Sequence, residues 1–361
     1  MPESAKIKEL VERFASNRES YTGAKYNETQ TRHEFIDPFF EELGWDLNNT
    51  RGYAEAYKDV IHEDSIKIGS ATEAPDYCFR IGGVRKFFLE AKKPSVNIKD
   101  STHPAYQLRR YAWSSKLPLS ILTDFEEFAV YDCRSRPDKT DGPAVGRVLY
   151  IKCDEYAQRL DEIASIFSRE AVLKGSFDKF AEGVKGKKGT AGVDDSFLSV
   201  IEDWRDVLAK NIALRNPQFS TRDLNFAVQK TIDRIIFLRI CEDRGIELYA
   251  KLQSFLNGDR IYPRLLEYFR SADDRYNSGL FHFRSEKGLN EEPDHLTQSM
   301  AIDDKPLKDI IAGLYYPECP FEFSVLPSDI LGQVYEKFLG KVIRLTPGHQ
   351  AKVEDKPEVR K

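Results

Sequence analysis

The sequence predicts an α/β fold: a mixed sheet flanked by helices in the N-terminal half, followed by an all-α domain. Three observations carry this. Short runs rich in β-branched and aromatic residues recur between Asp59 and Lys152, on both sides of one helical stretch. A glycine- and lysine-rich stretch, Gly183 to Val193, then interrupts every period. Beyond it the apolar residues recur at helical spacing. Residues 1–182 are thus expected as the first domain, 183–195 as a linker, 196–345 as a helical domain and 346–361 as a tail.

In chain order, residues 4–18 read as a helix with Ile7, Leu10, Val11 and Phe14 on one stripe. Asn27 to Asp46 reads as a second helix, with Phe35, Ile36, Phe39, Phe40 and Leu43 facing a core and Gly44 closing it. Glu28 and Arg32 lie four apart near its start, most simply as a surface pair. His33 and His62 lack a partner at metal-ligand spacing and are expected to be structural or exposed. A strand is expected over Asp59–Ile68, a helix over His103–Ser115, a strand pair over Leu119–Asp124 and Glu127–Asp132, a strand over Arg147–Lys152 and a helix over Asp154–Phe167. Asp124 and Asp132 sit at strand ends, where turn chemistry explains them. The linker does not meet the G-x-x-x-x-G-K-[ST] spacing of a phosphate loop, and no strand leads into it. After it, Ser196–Leu214 is amphipathic. Ser220-Thr221-Arg222-Asp223 opens a long helix through Ile232, Ile235, Ile236 and Ile240 to Gly245. The charges along that stripe, among them Arg234, Arg239, Glu242 and Asp243, read as inter-helical ion pairs.

The stretch with chemistry is Ala74 to Pro94. It reads as two short strands around Gly82-Gly83, the second mostly apolar from Val84 to Ala91, as a buried strand is. Onto that frame fall Asp76, Glu90 and Lys92, which are costly to bury unpaired. Glu90 and Lys92 are two apart and share a face. A two-residue loop at Gly82-Gly83 sets Asp76 opposite Leu89; a three-residue loop, Gly82 to Val84, sets it opposite Glu90. The three-residue loop is the expectation, because glycine permits the positive φ it needs. Two carboxylates beside an ammonium form a hard-oxygen site suited to Mg²⁺. The residues alone also allow a surface ion pair on an edge strand. From Arg85 to Lys116 there are eight basic and two acidic residues, a local charge near +6 that suits a phosphate backbone.

Pro75-Asp76…Glu90-Ala91-Lys92 resembles the PD-(D/E)xK nuclease signature. Gln107-Leu108-Arg109-Arg110-Tyr111 resembles the Q-x-x-x-Y element that follows it in type I and related restriction enzymes. The helix ending Leu43-Gly44-Trp45-Asp46 resembles the one that precedes the catalytic sheet there, and the strand pair carrying Leu122-Thr123-Asp124 and Tyr131-Asp132 resembles the closing hairpin. Ile232 to Arg239, Glu242 to Ile246 and Leu331 to Gly340 resemble the helical connector of single-chain type IIG enzymes, including the IIL subgroup. The resemblance implies a restriction-endonuclease-like fold and a Mg²⁺-dependent type II site-specific deoxyribonuclease, with Mn²⁺ as substitute ion. It implies Asp76 and Glu90 as metal ligands, Lys92, Gln107 and Glu28 as catalytic partners, and Lys93, Arg109, Arg110 and Tyr111 as DNA contacts. The implied partners are double-stranded DNA and the enzyme's own methyltransferase and target-recognition domains, with dimerisation on DNA left open. No D/N-P-P-Y/F tetrad and no glycine-rich S-adenosylmethionine loop is present. The chain is accordingly expected to be the nuclease and connector of a longer restriction–modification enzyme, with S-adenosylmethionine confined to the missing part. The alternatives are the nuclease end of a type I or III subunit, or a DNA-docking module without activity.

Composition bounds these readings. At 361 residues, 41% hydrophobic and 31% charged, the chain is long enough for two or three domains. A net charge of −5 excludes a general nucleic-acid coat, so DNA binding has to be focused on patches. Five scattered cysteines without C-x-x-C spacing read as buried thiols of a reducing, cytoplasmic compartment rather than as a disulfide or zinc framework. No apolar run approaches a membrane span.

Overall fold

The computed structural model describes residues 4–62, 75–184, 192–276, 278–284, 292–316, 318–327 and 340–355. The described residues up to Val193 form one compact unit and those from Asp194 a second.

The first unit opens with α1 (Ala5–Ser16), capped by the Ser4 side chain, and a short α2 (Arg18–Tyr21). The expected second helix forms as three pieces: α3 (Glu28–Thr31), a π turn (Arg32–Ile36) and α4 (Asp37–Glu42). Asn27 and Gln30 close a capping box at its start, and Gly44, at φ +89°, ends it as expected. The π turn falls just before Pro38, whose missing N–H already breaks the α-helical ladder there.

A mixed six-stranded sheet follows in the order β1 to β6. Its strands are β1 (Val60–His62), β2 (Tyr77–Ile81), β3 (Val84–Ala91), β4 (Leu119–Thr123), β5 (Glu127–Asp132) and β6 (Arg147–Lys152). The expected strand over 59–68 is described only through β1; its remainder lies outside the described residues. All pairs are antiparallel except β3–β4, which is parallel and is connected through α5 (Thr102–Ser114). A parallel pair needs such a crossover. Helices α6 (Tyr156–Phe167), α7 (Arg169–Leu173) and α8 (Ser176–Gly183) complete the unit. The core between helices and sheet is aromatic. Phe79 and Phe87 stack at 4.5 Å, Trp45 meets both edge-on, and its indole N–H donates to the Phe167 carbonyl at 2.8 Å. Contacts of this kind add about 0.5–1.5 kcal/mol each beyond burial.

The β2–β3 turn corrects one expectation. Ile81 pairs with Val84, so the loop has two residues, Gly82 and Gly83, at φ +57° and +82°. Two successive positive φ values make the hairpin turn whose twist matches the strands, and the β-branched Val84 stays in the strand. Gly83 also has no room for a side chain: a Cβ there would lie 2.8 Å from the Ala56 carbonyl oxygen. The register then shifts between Phe79 and Arg80, where Lys86 is the extra residue, and continues as Phe79 with Phe87 and Tyr77 with Leu89. Carried one residue further, it sets Asp76 against Glu90. The expected pairing holds, by a bulge rather than by the loop.

In the second unit α9 (Val193–Arg215) and α10 (Thr221–Asp243) are the long helices. Ser220 and Asp223 form the expected capping box. They are followed by α11 (Ile261–Tyr276), α12 (Leu296–Ser299) and α13 (Asp304–Ala312). Arg234, Arg239, Glu242 and Asp243 are buried, but the ion pairs of the two arginines are not the expected inter-helical ones. Arg234 bridges to Asp294 at 2.7 Å, whereas Arg239 pairs with Asp243 of its own helix and donates to the Leu314 carbonyl. The unit is not wholly helical, because β7 (Lys341–Leu345) and β8 (Ala351–Asp355) form a hairpin where a helix end and a tail were expected. Val342 and Ile343 on one side of Thr346-Pro347-Gly348 and Val353 on the other suit the two strands, and Asn225 of α10 grips Ile343 through both main-chain groups. The stretch 331–339 lies outside the described residues, as does most of the linker.

Candidate active site

The parallel β3–β4 pair buries the end of β3 on both sides, and the site forms there. Glu90 is the last but one residue of β3 and only 3% exposed. Lys92 follows the strand and continues its ladder, donating its N–H to the Thr123 carbonyl at 2.9 Å. Asp76 precedes β2, and its Oδ2 accepts the Ala91 N–H at 2.7 Å. That bond ties the first carboxylate to the peptide beside the second. The Lys92 ammonium lies 2.6 Å from Glu90 Oε1 and 3.6 Å from Glu28 Oε2, so α3 also delivers its glutamate to this point. Four expected site residues, Glu28, Asp76, Glu90 and Lys92, are therefore brought together.

The electrostatics of the cluster follow from burial. Glu90 is pushed up from 4.5 to about 8, first by burial and then by the charge of Asp76, with Lys92 opposing. Burial and Asp76 also raise the Glu28 carboxyl. Burial lowers the Lys92 ammonium, but Glu90 and Glu28 outweigh it and leave the group above its ordinary value. Lys92 is thus a fixed cation among carboxylates of which one resists ionisation. Glu90 Oε2 is buried and has no hydrogen-bond partner among the described residues. An acceptor oxygen in that condition is open to a cation. Among the described residues no group of three or more His, Cys, Asp and Glu side chains could cage a metal. Mg²⁺ commonly takes only one or two protein carboxylates and completes its shell with water, so Asp76 and Glu90 could hold it.

Arg32, expected to form a surface pair, stands against Asp76 instead, with His62 behind it. Arg32 donates from Nη1 to Asp76 Oδ1 at 3.2 Å, and its guanidinium lies 4.6 Å from the centroid of the Tyr77 ring. It is not one half of a surface pair with Glu28. His62 is 3.4 Å from Arg32 Nη2. The four-residue spacing from Glu28 to Arg32 was the visible signal, since it puts both on one helical face.

The remaining expected residues divide. Gln107 and Tyr111 do face each other on α5, the Gln107 amide donating to the Tyr111 hydroxyl at 3.0 Å. Lys93 is half-buried just after β3. Arg109, Arg110 and Tyr111 are corrections to the DNA-facing patch, because all three are buried. Arg109 is paired with Asp141 at 2.7 Å and packs against Gly146, where a Cβ would lie 3.3 Å from its Nε. Lys86 is likewise paired with Asp178. Counting charge along the chain overstates the cations available to a phosphate backbone. Asp124 and Asp132 do serve turns, accepting the Glu127 and Arg134 N–H groups.

Comparison with known proteins matches both the sheet that carries this cluster and the whole chain. Residues 58–139, which span the sheet from just before β1 through β5, match the family described as the Type I restriction enzyme R protein N terminus. Over 360 residues, 99% of this chain, the sequence is 37% identical to the Type II restriction enzyme and methyltransferase RM.Eco57I of Escherichia coli. By sequence the chain is thus similar to a relative whose name joins type II restriction to methylation, and its sheet to the N terminus of a restriction-enzyme subunit. The chain spans about a third (35%) of the length of that relative. A solved structure, that of the type IIG restriction endonuclease BpuSI, is similar at 15% identity and a TM-score of 0.25, over 86% of this chain and 31% of its own. No described helix is long and apolar enough to cross a membrane.

Proposed function

We propose that this chain is the Mg²⁺-dependent endonuclease module of a single-chain restriction–modification enzyme, hydrolysing phosphodiester bonds of double-stranded DNA. The observation that carries the reading is the buried, unpartnered Oε2 of Glu90 beside Asp76, with the Lys92 ammonium 2.6 Å from the other Glu90 oxygen. Asp76 and Glu90 would hold the ion, and Mn²⁺ would substitute. When bound there, Mg²⁺ supplies positive charge against the developing charge on the phosphate. Lys92, fixed between Glu90 and Glu28, orients the attacking water and offsets charge at the same centre. Gln107, held by Tyr111, is the residue we assign to positioning the backbone. The methyltransferase and the base-reading parts, with S-adenosylmethionine as cofactor, would belong to other domains of the full-length protein, working in the cytoplasm. The 37% identity over the whole chain to a combined restriction enzyme and methyltransferase favours this over a subunit of a separate motor complex.

The test is plasmid cleavage with Mg²⁺ by the full-length protein. Asp76→Ala, Glu90→Ala and Lys92→Ala should each abolish cutting while leaving the fold intact. The losses should be non-additive, because the three act as a unit. Parental cutting by Lys92→Ala would overturn the assignment.

A further inference from the structure

We propose that Arg32 is a positioning residue for Asp76, holding that carboxylate in the orientation in which it takes the divalent cation. The inference rests on the nuclease reading above and assigns a role to a residue outside the signature.

Arg32 grips one residue twice. Nη1 donates to Asp76 Oδ1 at 3.2 Å, and Nη2 donates to the Asp76 main-chain carbonyl at 3.4 Å. A planar guanidinium that bonds both the side chain and the main chain of one aspartate fixes the torsion between them. Its hold is completed on Oδ2 by the Ala91 N–H at 2.7 Å.

Arg32 is itself held. His62 Nε2 lies 3.0 Å from the Leu47 carbonyl oxygen, which can only accept, so Nε2 carries the proton. His62 Nδ1 is then free to accept from Arg32 Nη2 at 3.4 Å. The Tyr77 ring lies against the guanidinium, and the Tyr77 hydroxyl is anchored on Asp37 of α4 at 2.6 Å. The π turn that begins at Arg32 lies between Glu28 and Asp37, so one irregular helix carries a site glutamate, the positioning arginine and the anchor of its stacking partner. A counter-charge alone would need none of this geometry. The positive charge opposes a metal, while the fixed carboxylate favours it, and a group braced this way points to orientation as the dominant effect.

The experiment measures Mn²⁺ binding to the full chain without DNA, from the electron paramagnetic resonance signal of free Mn²⁺, alongside the melting temperature without metal. Arg32→Ala should weaken Mn²⁺ binding about 10–100-fold, the range for loss of an outer-shell partner. Arg32→Lys should recover part of it, since an ammonium can reach Oδ1 but cannot grip side chain and main chain together. Unchanged or tighter binding by folded Arg32→Ala overturns the proposal, including where only the melting temperature falls. Should Arg32→Ala not fold, Arg32→Lys decides, and parental affinity there overturns it. Asp76→Ala separates the two readings. If it binds Mn²⁺ like the parent, the metal site itself is wrong; if it loses binding while Arg32→Ala does not, only the role of Arg32 falls.

Discussion

Replacing Glu90 by glutamine should flatten the dependence of stability on pH. In the folded chain Glu90 keeps its proton to about pH 8, against an ordinary value of 4.5. The unfolded chain therefore releases this proton first, and between those values it binds fewer protons than the native state. Stability contributed by this group falls as pH rises through that window, and the cost is complete above about 8. The difference is worth about 1.4 kcal/mol per unit, so the ceiling is about 5 kcal/mol. Because Lys92 and Asp76 share the interaction, about 2–4 kcal/mol is the expectation. For a unit of this size that is a shift of about 4–16 °C in melting temperature. The assay is thermal melting followed by circular dichroism from pH 5.5 to 9 without divalent ions, on parent and Glu90→Gln. Asp124 is also raised well above its ordinary value by burial, but it tilts both proteins alike. The parent should lose stability toward pH 9 relative to the variant. Parallel curves would mean that Glu90 is ionised in the fold throughout, and the account of the cluster would fail.

Other outcomes follow from the same geometry. Gln107→Ala should lower single-turnover cleavage by about 10–100-fold, the scale of lost positioning, with DNA binding little changed; equal rates would reduce the Gln107–Tyr111 bond to a structural one. Asp141→Ala strands the buried Arg109 charge and should cost about 3–5 kcal/mol in urea unfolding, without altering the salt dependence of DNA binding. A marked fall in that dependence would restore Arg109 as a phosphate contact. The 361-residue chain itself should bind unrelated plasmids only non-specifically, at about 10⁻⁴–10⁻⁶ M in physiological salt and more weakly as salt rises. Discrete cleavage at one motif would place base recognition within it.

Much of the first unit was legible because its strands are short β-branched runs and its helices have clear caps. The β2–β3 register shows how a correct pairing can rest on the wrong loop. Periodicity reports which residues share a face, but a bulge at Phe79/Arg80 depends on how both strands twist against the helices. The same limit hid Arg32. Its bond to Asp76 spans 44 positions, and nothing local separates it from an exposed i,i+4 partner of Glu28. Arg109 and Arg110 failed in the opposite direction: α5 is buried nearly all round, so a charge count along it is not a surface potential. In the second unit the helices and the Ser220 cap are readable, while the hairpin at 341–355 is not, because the expected boundary between helical domain and tail falls inside it, at 345/346.

The central claim is that Asp76 and Glu90 together take a divalent cation at the end of β3. Diffraction from crystals soaked in Mn²⁺, with the anomalous signal of manganese located, tests it most directly. The account predicts a peak bridging Asp76 and the free Oε2 of Glu90, lost in Asp76→Ala. A peak elsewhere, or none between these carboxylates while Mn²⁺ supports cleavage in solution, would contradict it.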